Sequence, residues 1–453
     1  MKALTRHAPG GIRELLSISI PLIITAFSGN LLVVIDRIML SYHSIDAMNA
    51  VAGVGIVFAA FYFPGTAIAG MTEVFVGQYN GAEQYHKISS PVWQMIWFSL
   101  WSVVIYLPLA FMGEHFFLSE AFVEEGLSYY QMLVCGCPLF LIHSAVSGFF
   151  IGTGRTKLVT YVVFVGTILN ICLNYWFIFG GLGVPELGAL GAGIASIIAE
   201  CIQLLILLYA FLNKHNHTIY KTRLVSLDFD LMWEELKVGV PNAVGHTFEI
   251  AGWAFLTNFR ANFGMDYIVV MTITSTAYIF FTFFTDGIHK GVTAIASNFI
   301  GAKNYVGIEK LKSSAYKVQI SAAIILFFPM VGFNDLTIGS IMDISNFSEA
   351  AIYGIKLAML GNFLFMAIDG FFWIYAGLLT AGGDTKALMV ISGTAVWIAC
   401  VLPAVIWLSF FPSESYTVSL YAYPVYGVIV TALLYFRVRS GKWMKLHVAH
   451  SEA

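Results

Sequence analysis

The sequence predicts an all-α integral membrane protein of twelve transmembrane helices arranged as two parallel six-helix repeats. Three observations carry that prediction. First, of the 453 residues 58% are hydrophobic and only 11% charged, with a mean hydropathy of +0.80; a soluble protein carries about 25% charge, so lipid must solvate much of this surface. Second, the chain repeats itself. Gly148-Phe149-Phe150-Ile151-Gly152-Thr153-Gly154-Arg155-Thr156-Lys157 returns as Gly377-Leu378-Leu379-Thr380-Ala381-Gly382-Gly383-Asp384-Thr385-Lys386, 229 residues later. Pro21 is answered by Pro241, Gly81-Ala82 by Gly301-Ala302 and Tyr85 by Tyr305, each at an offset of 220. Third, the basic residues segregate to one side of the predicted membrane, as set out below.

Apolar runs of helical length occupy 15–40, 47–76, 92–112, 127–152, 158–180 and 190–213, each close to the roughly 20 residues a span requires. The first follows a polar, basic lead, Met1 to Arg13, and runs past signal-peptide length without a cleavage pattern, so it reads as a retained span. Lys214 to Glu235 is polar, holding His215, Asn216, His217, Lys221, Arg223, Asp228 and Asp230, and reads as a linker. Six further runs follow at 236–259, 267–299, 314–334, 352–381, 387–411 and 417–436. The expected organisation is therefore a first lobe over 1–213, a cytoplasmic linker over 214–235 and a second lobe over 236–453. Six spans per half is an even number, so both halves enter and leave on the same side and the repeats are parallel.

Charge checks this count. With the N-terminus inside, 20 of the 23 basic residues, from Lys2, Arg6 and Arg13 to Arg437, Arg439, Lys442 and Lys445, fall in inner segments. Arg37, Arg260 and Lys356 remain for the outer side, whose loops lean acidic through Glu114, Glu120, Glu124 and Glu125, and through Asp335, Asp343 and Glu349. A miscounted span would scramble this alternation. Both termini are expected in the cytoplasm.

Several function classes fall away. A net charge of −3 and a pI near 6.4 offer no polyanion-binding surface, so nucleic acid is not an expected partner. Cys135, Cys137, Cys172, Cys201 and Cys400 lie in apolar runs without metal or redox spacing and read as small packing residues. No Walker-type loop is present, so energy must come from an ion gradient or the cargo's own gradient. His143, His246 and His289 sit in separate spans without metal-type spacing, which disfavours a membrane-embedded enzyme.

Carboxylates inside spans are the candidate functional residues, since each costs several kcal/mol unless it faces a cavity or finds a partner. Asp36 lies in an apolar run beside Arg37, but neighbours on a helix point about 100° apart, so that pair does not close easily. Pro21, fifteen positions earlier, offers this span a place to bend. Asn170 and Asn174 share one helical face. They either glue helices together or, facing Asp36, complete a set of hard oxygen ligands for a small cation such as Na+, or hold a proton. Glu249, eight residues after Pro241, and Asp369 have no Arg or Lys one turn away; together they suit a cation or a cationic organic molecule among aromatics. Tyr278 stands among the aromatic residues of the eighth run and is either packing or part of that cavity. Asp286 has Lys290 four positions on and reads as a structural or gating pair. The paired Gly-Ala at 81–82 and 301–302 is expected to permit tight turns at inner helix ends.

At these residues the chain resembles the multidrug and toxic compound extrusion (MATE) family over nearly its whole length. The Pro21-to-Asp36 spacing resembles that family's first helix. Leu169-Asn170-Ile171-Cys172-Leu173-Asn174 and the glycine-rich stretch from Gly183 to Ala195 resemble its fifth and sixth. Pro241 followed by Glu249 is similar to the seventh helix of the bacterial NorM-type branch, and Asp369 through Gly377 to Asp384 to the tenth and its loop. The resemblance implies a V of two six-helix lobes in the plasma (inner) membrane, exporting organic cations in exchange for Na+ or H+. It implies a cation site in the first lobe at Asp36, Asn170 and Asn174, and a cation or substrate site in the second at Glu249 and Asp369, with no cofactor beyond the coupling ion. A monomer working among membrane lipids is expected. One departure is that some branches place a second acid where this chain has Asn174, so a single proton or Na+ at this site is the natural stoichiometry. The rival reading is a flippase of the wider superfamily moving a lipid-linked precursor, which would want a cationic cavity for pyrophosphate.

Overall fold

In the computed structural model, which describes residues 4–181, 183–263, 265–341, 349–411 and 418–445, twelve helical segments make up the fold. They are α1 Ile12–His43, α2 Ile45–Gly81, α3 Tyr85–Met112, α4 Glu120–Gly152, α5 Thr156–Phe179 and α6 Gly188–Phe211, then α7 Phe229–Ala261, α8 Met265–Gly301, α9 Tyr305–Gly332, α10 Glu349–Ala381, α11 Thr385–Phe410 and α12 Val418–Arg439. Ten contain stretches long and apolar enough to cross a membrane on their own; the other two are α7 and α8, which carry Glu249, Arg260, Asp286 and Lys290. Lys2 and Asp343 lie outside the described residues. Exposed side chains such as Val104, Ile105, Tyr161 and Tyr209 form an apolar outer surface suited to lipid.

Local chemistry sets the irregularities. α9 ends in a π-turn at Phe328–Gly332 and α11 contains one at Val396–Val401. Pro329 and Pro403 sit at these points, and a residue without an N–H lets the hydrogen-bond ladder slip by one. α2 steps at Met71 and α3 at Ser102.

The duplication in the sequence is also a duplication of backbone geometry. Gly154 and Gly383 both adopt φ +76°, and Glu83 and Lys303 adopt φ +61° and +53°. Each repeated turn pins its own lobe's final element. Arg155 donates to Asn216 Oδ1 (2.8 Å) on the short helix Lys214–Tyr220, and Asp384 accepts two bonds from Arg437 at the end of α12 (2.7 and 3.1 Å).

The lobes meet at the end of the bundle where α1 begins and α12 ends, here the proximal end, through a crossing of α2 and α8 that nearly repeats itself across the pseudo-twofold. Gln78 Nε2 donates to Ala381 O at the end of α10 (2.8 Å), and its counterpart Asn298 Nδ2 donates to Gly152 O at the end of α4 (2.8 Å). Asn80 adds a bond to Asn298 Oδ1 (2.6 Å). A Cβ on Gly81 would lie 1.9 Å from Asn298 O, and one on Gly301 the same distance from Gln78 O. The Gly-Ala pairs thus do more than allow a turn: at both glycines the opposite lobe's backbone occupies the side-chain space. From there the contacts of α1 with α8 run through Ser19 against Gly291 and Ile23 against Gly287 to Phe27 against Phe283, whose ring centroids are 5.3 Å apart.

The polar stretch 214–235 is not a bare tether. It contains the helix Lys214–Tyr220, and α7 begins at Phe229, where Asp228 caps it by accepting from Leu231 N (3.0 Å). Trp93 and Trp97 of α3 donate to the carbonyls of Thr222 and Ser226, and Met232 is buried in the first lobe's core. Sequence hydropathy puts the start of the seventh span at 236 because these first turns bury few apolar residues, and those against the other lobe.

Candidate functional site

The first-lobe residues converge. α1 carries Asp36 and α5 carries Asn170 and Asn174 one turn apart, all buried at 7%, 1% and 0% exposure. Asn174 Nδ2 donates to Asp36 Oδ1 (2.5 Å) and to Asn170 Oδ1 (2.7 Å), and Asn170 Nδ2 donates to Ser196 Oγ of α6 (3.2 Å). Ser196 is a member of the cluster that sequence reasoning missed, because a serine on a Gly/Ala-rich helix carries no charge to flag it. The amide of Asn174 spends its donor on two acceptors, and its Oδ1 is buried without a partner. Such an orphaned acceptor beside a buried carboxylate is what a proton or a small hard cation would satisfy.

Neither proline breaks its helix: α1 and α7 run through Pro21 and Pro241. The Pro21 carbonyl accepts from Thr160 Oγ1 of α5 (2.6 Å) and Thr25 Oγ1 (3.0 Å), which ties α1 to α5 at that level.

In the second lobe α7 supplies Glu249, α10 Asp369 and α8 Tyr278. The carboxyl of Glu249 lies 3.8 Å from His246 Nδ1 and accepts from Tyr426 Oη of α12 (3.3 Å). Asp369, 6% exposed, accepts from Trp373 Nε1 (2.9 Å). The Trp373 ring contacts His246 (6.3 Å) and His289 (5.2 Å), and His289 Nδ1 lies 3.1 Å from Trp373 O. The two acids are thus linked through His246 and Trp373 rather than hydrogen-bonded to each other, and Asp369 lies within electrostatic range of Glu249. Tyr278, half-buried, packs on Phe365 (5.8 Å), which with Trp253 and Tyr426 forms an aromatic wall. It lies within electrostatic range of Asp369 and Glu249. Glu249 has no Arg or Lys one turn away, but His246 stands one helical turn before it as a local basic partner. Asp286 and Lys290 form no ion pair in the structure among the described residues; Asp286 is half-buried and Lys290 is exposed. Sequence reasoning also missed the buried contact of His143 Nδ1 with Glu200 Oε1 (2.6 Å), which joins α4 to α6.

The first-lobe cluster lies beyond the Phe27–Phe283 contact, away from the proximal end. Asp36 is nine residues past Phe27, roughly 13 Å along α1.

The family model described as MatE matches residues 21–176, which span Pro21, Asp36, Asn170 and Asn174. The "Probable multidrug resistance protein NorM" of Mannheimia succiniciproducens is 24% identical over 397 residues, covering 85% of this chain and 84% of its own length. In sequence the chain is thus similar to MATE transporters. "Multidrug resistance protein MdtK" of Photorhabdus laumondii is similar at 23% identity over 394 residues, 85% of each chain. Among solved structures, one titled as the outward-facing conformation of a multidrug resistance MATE family transporter of the MOP superfamily matches with a TM-score of 0.81, at 18% identity and 98% coverage of both chains. The twelve-helix, two-lobe fold is therefore the one MATE transporters have, and the chain is a multi-pass membrane protein.

Proposed function

We propose that this protein is a MATE-type secondary antiporter that exports organic cations by alternating access in exchange for Na+ or H+. The observation that supports this most directly is the buried Asp36–Asn174–Asn170 cluster with its orphaned amide oxygen. A lone carboxylate with two amide side chains is an oxygen-only set suited to one Na+ or one proton. The relatives' names speak for small-molecule drugs as cargo. Glu249 and Asp369 beside Trp253, Tyr278, Phe365, Trp373 and Tyr426 suit a cationic aromatic guest, since the acids supply charge complementarity and the rings cation–π faces. Acidic residues at both clusters give a lipid pyrophosphate no counter-charge, which disfavours a flippase.

In this reading the lobes, 1–213 and 236–453, work as two units joined by 214–235, in a monomer. The proximal end, with both termini, faces the cytoplasm of the inner membrane, and the cleft opens outward. The test is efflux of a fluorescent organic cation from proteoliposomes with Na+ and pH gradients imposed separately. Export against the cargo's own gradient under one of the two supports the reading; export under neither overturns it.

A further inference from the structure

We propose that Glu235 is a proton-binding site in the seam between the lobes, and that loss of its proton opens the proximal end. Glu235 lies on α7 just ahead of the apolar run 236–259, at 0% exposure, and neither carboxyl oxygen has a hydrogen-bond partner. Leu231, Glu235, Val238 and Gly239 share one helical face. On either side of Glu235 that face packs on α2 of the other lobe: Leu231 and Val238 cluster with Met71, Val74 and Phe75, and a Cβ on Gly239 would stand 3.1 Å from Ile68 Cα. The carboxyl is therefore enclosed by the seam itself, not by its own lobe's core.

The surroundings offer no counter-charge. From α2 the titratable groups are Tyr79, which is within electrostatic range of Glu235, and the buried acid Glu73. α3 presents the amide of Gln94, engaged with Asp228 N and Ser226 O. α11 presents Thr385, which donates to Val238 O, while Asp384 ahead of it is held by Arg437. On α7 itself Asp228 caps the helix, Asp230 is exposed, and Glu234 pairs with Lys237. An ionised carboxylate enclosed without a cation or a donor is strongly unfavourable, so the sealed seam holds Glu235 as the neutral acid. Parting the lobes hydrates it and lets the proton go. The linkage then has a fixed sign: the sealed state binds one proton more, and rising pH favours opening. This makes a proton-linked step at the gate, separate from the clusters at Asp36 and at Glu249 and Asp369.

The test reads the seam rather than transport, so it does not depend on which ion couples export. Ser297, fully buried on α8 against Gly77 of α2, becomes the reporter as Ser297→Cys in a protein whose five native cysteines are replaced. Its alkylation rate by a polar maleimide is divided by that of the exposed Ser226→Cys, which removes the thiol's own pH dependence. With Glu235 intact the ratio should rise with pH, at most about tenfold per unit for one proton. In Glu235→Gln and Glu235→Leu, both neutral at every pH, it should stay at the low-pH value. A flat ratio with Glu235 intact, or the wild-type rise persisting in both variants, overturns the proposal.

Discussion

At the scale of single residues, the first-lobe cluster is held by one amide. Asn174 bridges Asp36 and Asn170, so Asp36→Asn keeps the shape, removes the titratable charge and sets two amides against each other. Gradient-driven export in proteoliposomes should collapse while the protein still elutes as a folded species; wild-type export by Asp36→Asn would remove Asp36 from the coupling step. In the second lobe, Glu249 and Asp369 are joined through His246 and Trp373. Glu249→Gln and Asp369→Asn should each weaken binding of a monovalent cationic dye, and the double variant should be little worse than either, because residues acting as one site are not additive. Binding isotherms of all four proteins decide it, and fully additive losses would mean two independent sites. The five carboxylate and amide positions with Tyr278 were legible from sequence because charge and amides stand out in apolar runs. Ser196, His246, Trp373 and Tyr426 were not, because serine and aromatic residues are common in spans, histidine carries no fixed charge, and only their placement shows a partnership.

At the scale of elements, the crossing of α2 and α8 holds the proximal end together. Gln78 and Asn298 each donate to the far lobe's backbone, and replacing either by Leu leaves a buried carbonyl unpaired, at a cost of about 1–3 kcal/mol. Gly301→Ala forces a methyl into the Gln78 carbonyl, and overpacking of this kind costs roughly 1–3 kcal/mol. All three changes act on the sealed arrangement alone. They should shift the protein towards the form open at the proximal end, seen as faster alkylation of Ser297→Cys at fixed pH. Unchanged alkylation would show that this crossing does not set the balance. The helices themselves were largely readable, with ends differing where the hydrophobic signal stops short of the hydrogen-bond ladder. α9 begins at Tyr305, nine residues ahead of its apolar run, because Asn304 caps it and its first turns are amphipathic.

At the scale of the whole molecule, charge predicts an orientation. The outer-side residues expected from the alternation meet each other, since Lys356 pairs with Asp335 at 2.6 Å. Cysteines at Ser226 and Glu124, both exposed, should be labelled by an impermeant reagent from opposite faces of intact cells and inverted vesicles. Labelling of both from one face would invert a lobe and end the parallel-repeat topology.

The sequence by itself determined the membrane as solvent, the number of spans, the duplication and the acids worth asking about, because composition, periodicity and charge are local properties that survive without coordinates. The tertiary structure alone decided how the halves meet. The repeat at 81–82 and 301–302 marks a glycine in each lobe, but only the packed lobes show that the two face one another and that Gln78 and Asn298 reach across. Glu235, which hydropathy places in a linker, became a buried acid for the same reason: what encloses it comes from a helix more than 150 residues earlier, and no local pattern encodes that contact.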